Sequence, residues 1–209
     1  IVRKHFIAAI FMVLVLASVK INAYGATYYV SSSQGNDAND GLTPETAFKT
    51  IAKLNEMVFE AGDNILLKCG DVWEESFFPK GEGNSRNWIT LSSYGEGPKP
   101  KISPKGNPTY GIFLDNYAGW RIIGIEVCNA QAGIRLLISE VGQKDGLWIE
   151  DCYIHHIENA PQYPNNVEPG LFMSYGISTY KVLDKGIPSM TNVTIKNCLI
   201  EDTDAPMTL

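Results

Sequence analysis

Trp120-Arg121-Ile122-Ile123-Gly124-Ile125-Glu126-Val127 aligns without gaps with Leu147-Trp148-Ile149-Glu150-Asp151-Cys152-Tyr153-Ile154 and with Val193-Thr194-Ile195-Lys196-Asn197-Cys198-Leu199-Ile200, at offsets of 27 and 46 residues. A shorter match precedes each octet: Gly111-Ile112-Phe113-Leu114, Gly133-Ile134-Arg135-Leu136 and Gly176-Ile177-Ser178-Thr179, at offsets of 22 and 43. Both sets share one irregular period of about 22 to 27 residues, lengthened in the last repeat by roughly 19.

In the shared pattern Ile-x-(Gly/Asp/Asn)-(Ile/Cys)-x-(Val/Ile), apolar side chains alternate to one side. A residue tolerant of left-handed backbone angles then bends the chain, and alternation resumes with the opposite parity. A short strand, a sharp corner and another short strand, once per coil, describe an all-β solenoid, the parallel β-helix. The alignment predicts that Ile122, Ile149 and Ile195 stack in one sheet, and Ile112, Ile134 and Ile177 in another. A leucine-rich repeat would need a Leu and Asn spacing that is absent. A β-sandwich would leave unexplained why Cys152 aligns with Cys198 and Asp151 with Asn197. Upstream, Thr27 to Val30 alternates as a strand and Ser31 to Pro44 is rich in turn formers. From Thr46 to Glu60 the residues Phe48, Ile51, Ala52, Leu54, Val58 and Phe59 fall near helical spacing, predicting one helix that caps the open end of the apolar core.

Composition agrees with a single folded domain: 209 residues, 44% hydrophobic and 19% charged, suffice for a real core. The net charge of −6 leaves no basic footprint for nucleic acid. Residues 1–23 carry a basic start (Arg3, Lys4, His5), an apolar run from Phe6 to Val19, and small residues after it. That is the form of a secretory signal, with cleavage after Ala23 or after Gly25. Residues 24–209 are then the β-helix domain of a secreted, periplasmic or cell-surface protein with no membrane partner once the signal is gone. The expected state is a monomer. Because the chain starts at Ile1 and ends at Leu209 soon after a strand-like segment, it is expected to be part of a longer reading frame. Cys69, Cys128, Cys152 and Cys198 in an exported chain suggest disulfides. Yet Cys152 and Cys198 share one rung position and read as free buried thiols.

Tyr28-Tyr29-Val30-Ser31, followed by Gly35-Asn36-Asp37-Ala38-Asn39-Asp40-Gly41-Leu42-Thr43-Pro44-Glu45-Thr46-Ala47-Phe48, resembles the N-terminal signature of secreted right-handed β-helix proteins of the pectate-lyase-like superfamily. Gly62-Asp63-Asn64-Ile65-Leu66-Leu67, Gly70-Asp71-Val72-Trp73 and Trp88-Ile89-Thr90-Leu91-Ser92-Ser93-Tyr94-Gly95 continue it. The resemblance implies a right-handed helix and a polysaccharide bound along one outer face. It does not choose among lyases, hydrolases, epimerases and adhesins.

If Ile112, Leu114, Ile134, Leu136, Ile177 and Thr179 point inward, then Phe113, Asp115, Arg135, Ser178 and Tyr180 point outward on one stacked face, with Lys181 just beyond. The leading expectation is a calcium-assisted lyase on acidic, uronate polysaccharide, similar to polysaccharide lyase family 9. Arg135 or Lys181 would be the base, His156 a general acid, and Asp115, Asp184, Asp202 and Asp204 the calcium ligands. Phe113, Tyr175 and Tyr180 would stack on sugar rings. The alternatives are a non-catalytic carbohydrate-binding or adhesive β-helix, and a glycoside hydrolase on the same fold. Asp37-Ala38-Asn39-Asp40-Gly41 starts like a calcium loop but lacks its closing Glu, so it reads as an Asx-rich turn. The glycosylation acceptor Asn192-Val193-Thr194 lies inside the repeat register and reads as structural.

Overall fold

Runs of alternating apolar residues become short strands because each buries one face and hydrogen-bonds to its copies in neighbouring coils. The computed structural model describes residues 25–105, 110–140, 142–158, 174–181 and 188–208. Residues 1–23 and most of 158–190, including the expected calcium ligand Asp184, lie outside the described residues. In chain order the strands are β1 (Thr27–Val30), β2 (Asn64–Lys68), β3 (Val72–Trp73), β4 (Ile89–Tyr94), β5 (Lys101–Ile102), β6 (Tyr110–Asp115), β7 (Trp120–Ile123) and β8 (Glu126–Ala130). They continue as β9 (Ala132–Ile138), β10 (Gly142–Glu150), β11 (Tyr153–Ile157), β12 (Tyr175–Lys181), β13 (Pro188–Lys196), β14 (Leu199–Ile200) and β15 (Ala205–Thr208).

These form three sheets with orders β1-β2-β4-β7-β10-β13, β3-β5-β8-β11-β14 and β6-β9-β12-β15. Every pairing is parallel. From β7 onward the chain visits the first, second and third sheet in turn and then returns to the first, the connectivity a parallel β-helix requires. The register is the one the repeats predict. Ile149 pairs with Ile122 and Ile195, and Ile134 pairs with Ile112 and Ile177. Apart from the half-buried Ile195, these residues are at most 1% exposed.

The corners explain why the repeat tolerates only certain residues. Gly124, Asp151 and Asn197 all have left-handed φ, at 68°, 53° and 54°. A second left-handed corner stacks Asn129, His156 and Asp202 at 54°, 51° and 50°. Asn, Asp and Gly adopt this region at low cost. The glycines that open the shorter repeat answer a different need. A Cβ on Gly133 would stand 2.5 Å from the Gly176 carbonyl oxygen and 2.6 Å from Ile154 Cγ2, so this stack exists because the third sheet runs against the second sheet's core side chains.

The predicted helix from Thr46 to Glu60 is much shorter. A 3-10 turn covers Pro44–Thr46 and α1 spans only Ile51–Glu56, with the Thr50 hydroxyl accepting from the Lys53 amide at its start. The apolar spacing misleads because Phe48 and Phe59 enter the core from extended backbone: Phe48 bonds to Tyr29 and Ser31 as a β rung, and the Phe59 amide donates to the Lys80 carbonyl. Ile51 and Leu54 still complete the core as the cap reading expects. Asp37 accepts from the amides of Lys49 and Thr50 and from the Thr50 hydroxyl, fixing the turn that launches α1. Asn192, at φ 55°, donates to Asp145 and Ser85 and is structural. All four cysteines are free thiols.

Candidate functional site

The third sheet's outer face is built from the rung that precedes it. Phe77 forms a lone parallel bridge with Ile112, its amide donating to the Gly111 carbonyl while the Phe113 amide donates to the Phe77 carbonyl. Phe77 therefore faces the core, fully buried against Trp120, and Phe78 lies outside beside Phe113. Asn55 of α1 holds this segment, accepting from the Phe78 amide and donating to the Ser76 carbonyl.

Phe78, Phe113, Arg135 and Ser178 thus occupy one row on successive rungs. Phe113 packs edge-on against Phe78 at 6.2 Å and stacks on Tyr110 at 4.9 Å. The Arg135 guanidinium lies 5.8 Å from the Tyr110 ring centre. Asp115, two residues beyond Phe113, is exposed, and Asn116 donates to its Oδ1. Phe78, Pro79, Lys80, Phe113, Asp115 and Tyr117 line a cavity of about 270 Å³, near the lower end of small-ligand sites.

The predicted site residues separate into groups. Phe113, Asp115 and Arg135 share this face as expected, and Ser178 shares the row but is only 4% exposed. Tyr175 pairs in register with Ala132, which pairs with Tyr110, so the two tyrosines stand two rungs apart. Tyr180 and Lys181 pair with Leu137 and Ile138, and only their backbones are described. His156 sits instead at the exposed second corner, with Asp202 one coil on and 3.8 Å from its Nδ1. Asp204 accepts from the Ser174 amide, fixing the approach to β12. Asp115, Asp202 and Asp204 therefore do not converge among the described residues, and no calcium cage is assembled from them. Phe78, Tyr110 and Tyr117 were not anticipated. The pair Phe77-Phe78, one in and one out like Ile112-Phe113, is the signal that could have found the first.

The second sheet's outer face carries a polar cluster. Lys101 Nζ stands 2.7 Å from Glu126 Oε1, and His155 Nε2 stands 3.1 Å from the same oxygen. Burial opposes ionisation of Glu126, but the bonds from Lys101 and His155 outweigh it and hold its carboxyl below the usual range. Burial pushes the neighbouring Cys128 thiol up. Tyr153 is pushed up to about 12, first by its hydrogen bond to Glu201.

No protein-family model matches this sequence. The chain is 35% identical over 88 residues to a lacto-N-biosidase of Bifidobacterium longum subsp. longum, an aligned stretch that is 39% of this chain and 6% of that protein. It is 30% identical over 64 residues to an alpha-1,3-galactosidase A of Akkermansia muciniphila, 31% of this chain and 11% of that one. The chain thus spans a small part of the curated relatives it matches. Among solved structures, a GH136 lacto-N-biosidase from Eubacterium ramulus superposes with a TM-score of 0.68 at 21% identity, over 86% of this chain and 34% of that one. That likeness concerns the fold.

Proposed function

We propose that the chain is part of an exported carbohydrate-active enzyme on a right-handed parallel β-helix, that the third sheet's outer face seats a neutral glycan, and that the reaction is glycosidic hydrolysis. The right hand follows from the strong bias of parallel crossover connections. The observation that carries the reading is the platform of Phe78, Phe113 and Tyr110 beside Asp115: aromatic faces stack on the apolar faces of sugars, and the carboxylate lies within the same cavity. Hydrolysis requires a pair of carboxylates across the scissile bond. Asp115 supplies one, held by Asn116; its rung neighbours are Leu137 and Tyr180, so the second comes from another row. The two curated relatives, both named as glycosidases, favour hydrolysis over elimination. Elimination would need cations gathered at a uronate, and among the described residues Asp115, Asp202 and Asp204 do not converge to hold one.

The test is calorimetric binding of neutral and uronate oligosaccharides to the full chain, with chromatography and ultraviolet absorbance of the products. Neutral glycans should bind, Phe113→Ala should weaken that binding about tenfold through lost ring stacking, and Asp115→Asn should spare binding while slowing cleavage. Turnover of polyuronates alone, with ultraviolet-absorbing unsaturated products lost on chelation, would restore the lyase reading. Binding untouched by Phe113→Ala would move the glycan off this face. Export predicts a mature N-terminus beyond residue 20, read by N-terminal sequencing.

A further inference from the structure

The geometry points to a binding site for a borderline-soft divalent transition ion, zinc above all, on the second sheet's outer face. Its ligands are Glu126, Cys128 and His155. The fold assembles them by two periodicities. Glu126 and Cys128 are two apart on β8 and so share a face. His155 on β11 is the parallel rung partner of Cys128, one strand spacing away. One ligand atom from each of the three lies within 4.8 Å of the others. Zinc takes thiolate, imidazole and carboxylate at about 2.0 to 2.3 Å in a tetrahedron, so closing the three onto one ion needs side-chain adjustments rather than backbone movement. A thiolate and an imidazole exclude calcium and magnesium, which take oxygen donors.

The surroundings are those of a held ligand set. Tyr153 stacks on the His155 ring at 4.2 Å. His155 Nδ1, on the side away from Glu126, meets His156 Nδ1 at 2.6 Å, and Asp202 Oδ2 stands 3.8 Å from that same His156 nitrogen. A hydrogen bond from the second ring nitrogen of a ligating histidine to a neighbouring acceptor, here the His156 ring, orients a metal-bound histidine. It also gives His156 a reason to occupy a left-handed corner that Asn129 and Asp202 fill in the adjoining coils. The Asn129 side-chain amide reaches Cys128 Sγ at 3.5 Å and would support a thiolate there. With three protein ligands, the fourth position is left to solvent.

One residue opposes the ion. Lys101 places its ammonium on Glu126 Oε1, and a dication must either share that carboxylate with it or displace it. The site therefore makes an unusual demand: removing a positive charge should improve it.

The test is titration of the metal-stripped full chain with zinc, by calorimetry, and with cobalt, by its visible and thiolate charge-transfer absorption. We expect one ion per chain with a thiolate band. Cys128→Ser should abolish the band, and both it and His155→Gln should weaken binding by at least about 100-fold, more than the loss of an outer partner. His156→Phe should weaken it roughly tenfold as a second-layer effect, and Lys101→Met should tighten it roughly tenfold. Circular dichroism of each variant checks the fold. No stoichiometric binding by the parent chain would overturn the site. So would a cobalt spectrum unchanged in Cys128→Ser, which would assign the ion to another thiol. Lys101→Met is the safeguard should a ligand variant unfold: it replaces none of the three ligands, and unchanged or weaker binding in it would overturn the assignment.

Discussion

The N-terminal segment, residues 25–71, and the coils from Tyr110 to Ile200 bury the same kinds of side chain but hold their backbones by different means. In the coils each strand's amides and carbonyls pair with the next rung, and the corners are made by left-handed Gly, Asn, Asp and His. In the N-terminal segment irregular backbone is gathered by aspartates. Asp63 accepts from the Ala26 and Glu60 amides, Asp71 from the Ser31 hydroxyl and the Ser33 amide, Asp40 from the Leu42 amide and the Thr46 hydroxyl, and Asp37 from the start of α1. Asp145 serves the same purpose inside the coils, and it does so where the turn at 84–87 leaves the ladder and its Ser85 amide needs an acceptor. A rung satisfies its own polar groups. A departure from the rung needs a polar side chain, in the N-terminal segment most often an aspartate, to satisfy them.

The sharpest contrast is in what destabilises each region. Ile149 is fully buried between Ile122 and Ile195, and Ile149→Ala should cost about 3 kcal/mol, the usual loss for a truncated core side chain. Denaturant titration should return the same penalty on either side of the carboxylate range, because nothing ionisable is touched. A cost below about 1 kcal/mol would mean that the stack relaxes freely and is not a packed ladder.

The N-terminal aspartates should instead make stability depend on acid. Burial opposes ionisation of Asp37, but the Thr50 hydroxyl and the Thr50 and Lys49 amides outweigh it and hold the carboxyl below its ordinary value. Burial likewise opposes ionisation of Asp71, and bonds from Ser33 and Ser31 lower it. A carboxyl lowered in the folded state contributes stability that is complete above its unfolded value, about 3.9, and is lost as pH falls through the folded one. Asp37→Ala and Asp71→Asn should each cost about 1 kcal/mol at neutral pH. The difference from the parent chain should shrink to nothing at the acid end. Variants that remain equally destabilised there would show that the aspartates act through shape alone.

The same contrast explains what was legible in the sequence. Inward positions repeat because every coil makes the same demand on them, so Ile122, Ile149 and Ile195, the Gly111-Gly133-Gly176 stack and the corners at Gly124, Asp151 and Asn197 could all be aligned by eye. The N-terminal segment has no second copy, and spacing alone made Phe48 and Phe59 look helical. Outward positions repeat least. Phe113, Asp115 and Arg135 were found by parity, whereas Phe78 and Tyr117 lie outside the repeat and Tyr110 immediately before it. Glu126, Cys128 and His155 share one patch because the 27-residue offset of the repeat carries on past the aligned octet to pair Cys128 with His155, as the register of β8 against β11 has it.

The smallest effect we expect belongs to the thiols, which probe a rung without altering it. Cys152 and Cys198 follow the first corner on consecutive coils, Cys152 buried at 1% exposure and Cys198 half-buried. Their protons are coupled. The neighbouring Cys198 sulfur comes first, with burial after it, in pushing the Cys152 thiol up. The Cys152 thiol in turn lowers Cys198, against burial and the nearby carboxylates of Asp151 and Glu150. The outer sulfur therefore ionises first and keeps the inner one protonated. Iodoacetamide should label Cys198 at a pH below that needed by an ordinary thiol, its rate tracking the thiolate, which is the reactive form. Cys152 should stay unlabelled until denaturant opens the whole stack, so its labelling and the loss of β circular dichroism should share one midpoint. Peptide mapping separates the two sites. If Cys152 were alkylated in native buffer as fast as Cys198, the rung would open locally, and the coils would lack the continuous ladder that distinguishes them from the aspartate-held N-terminal segment.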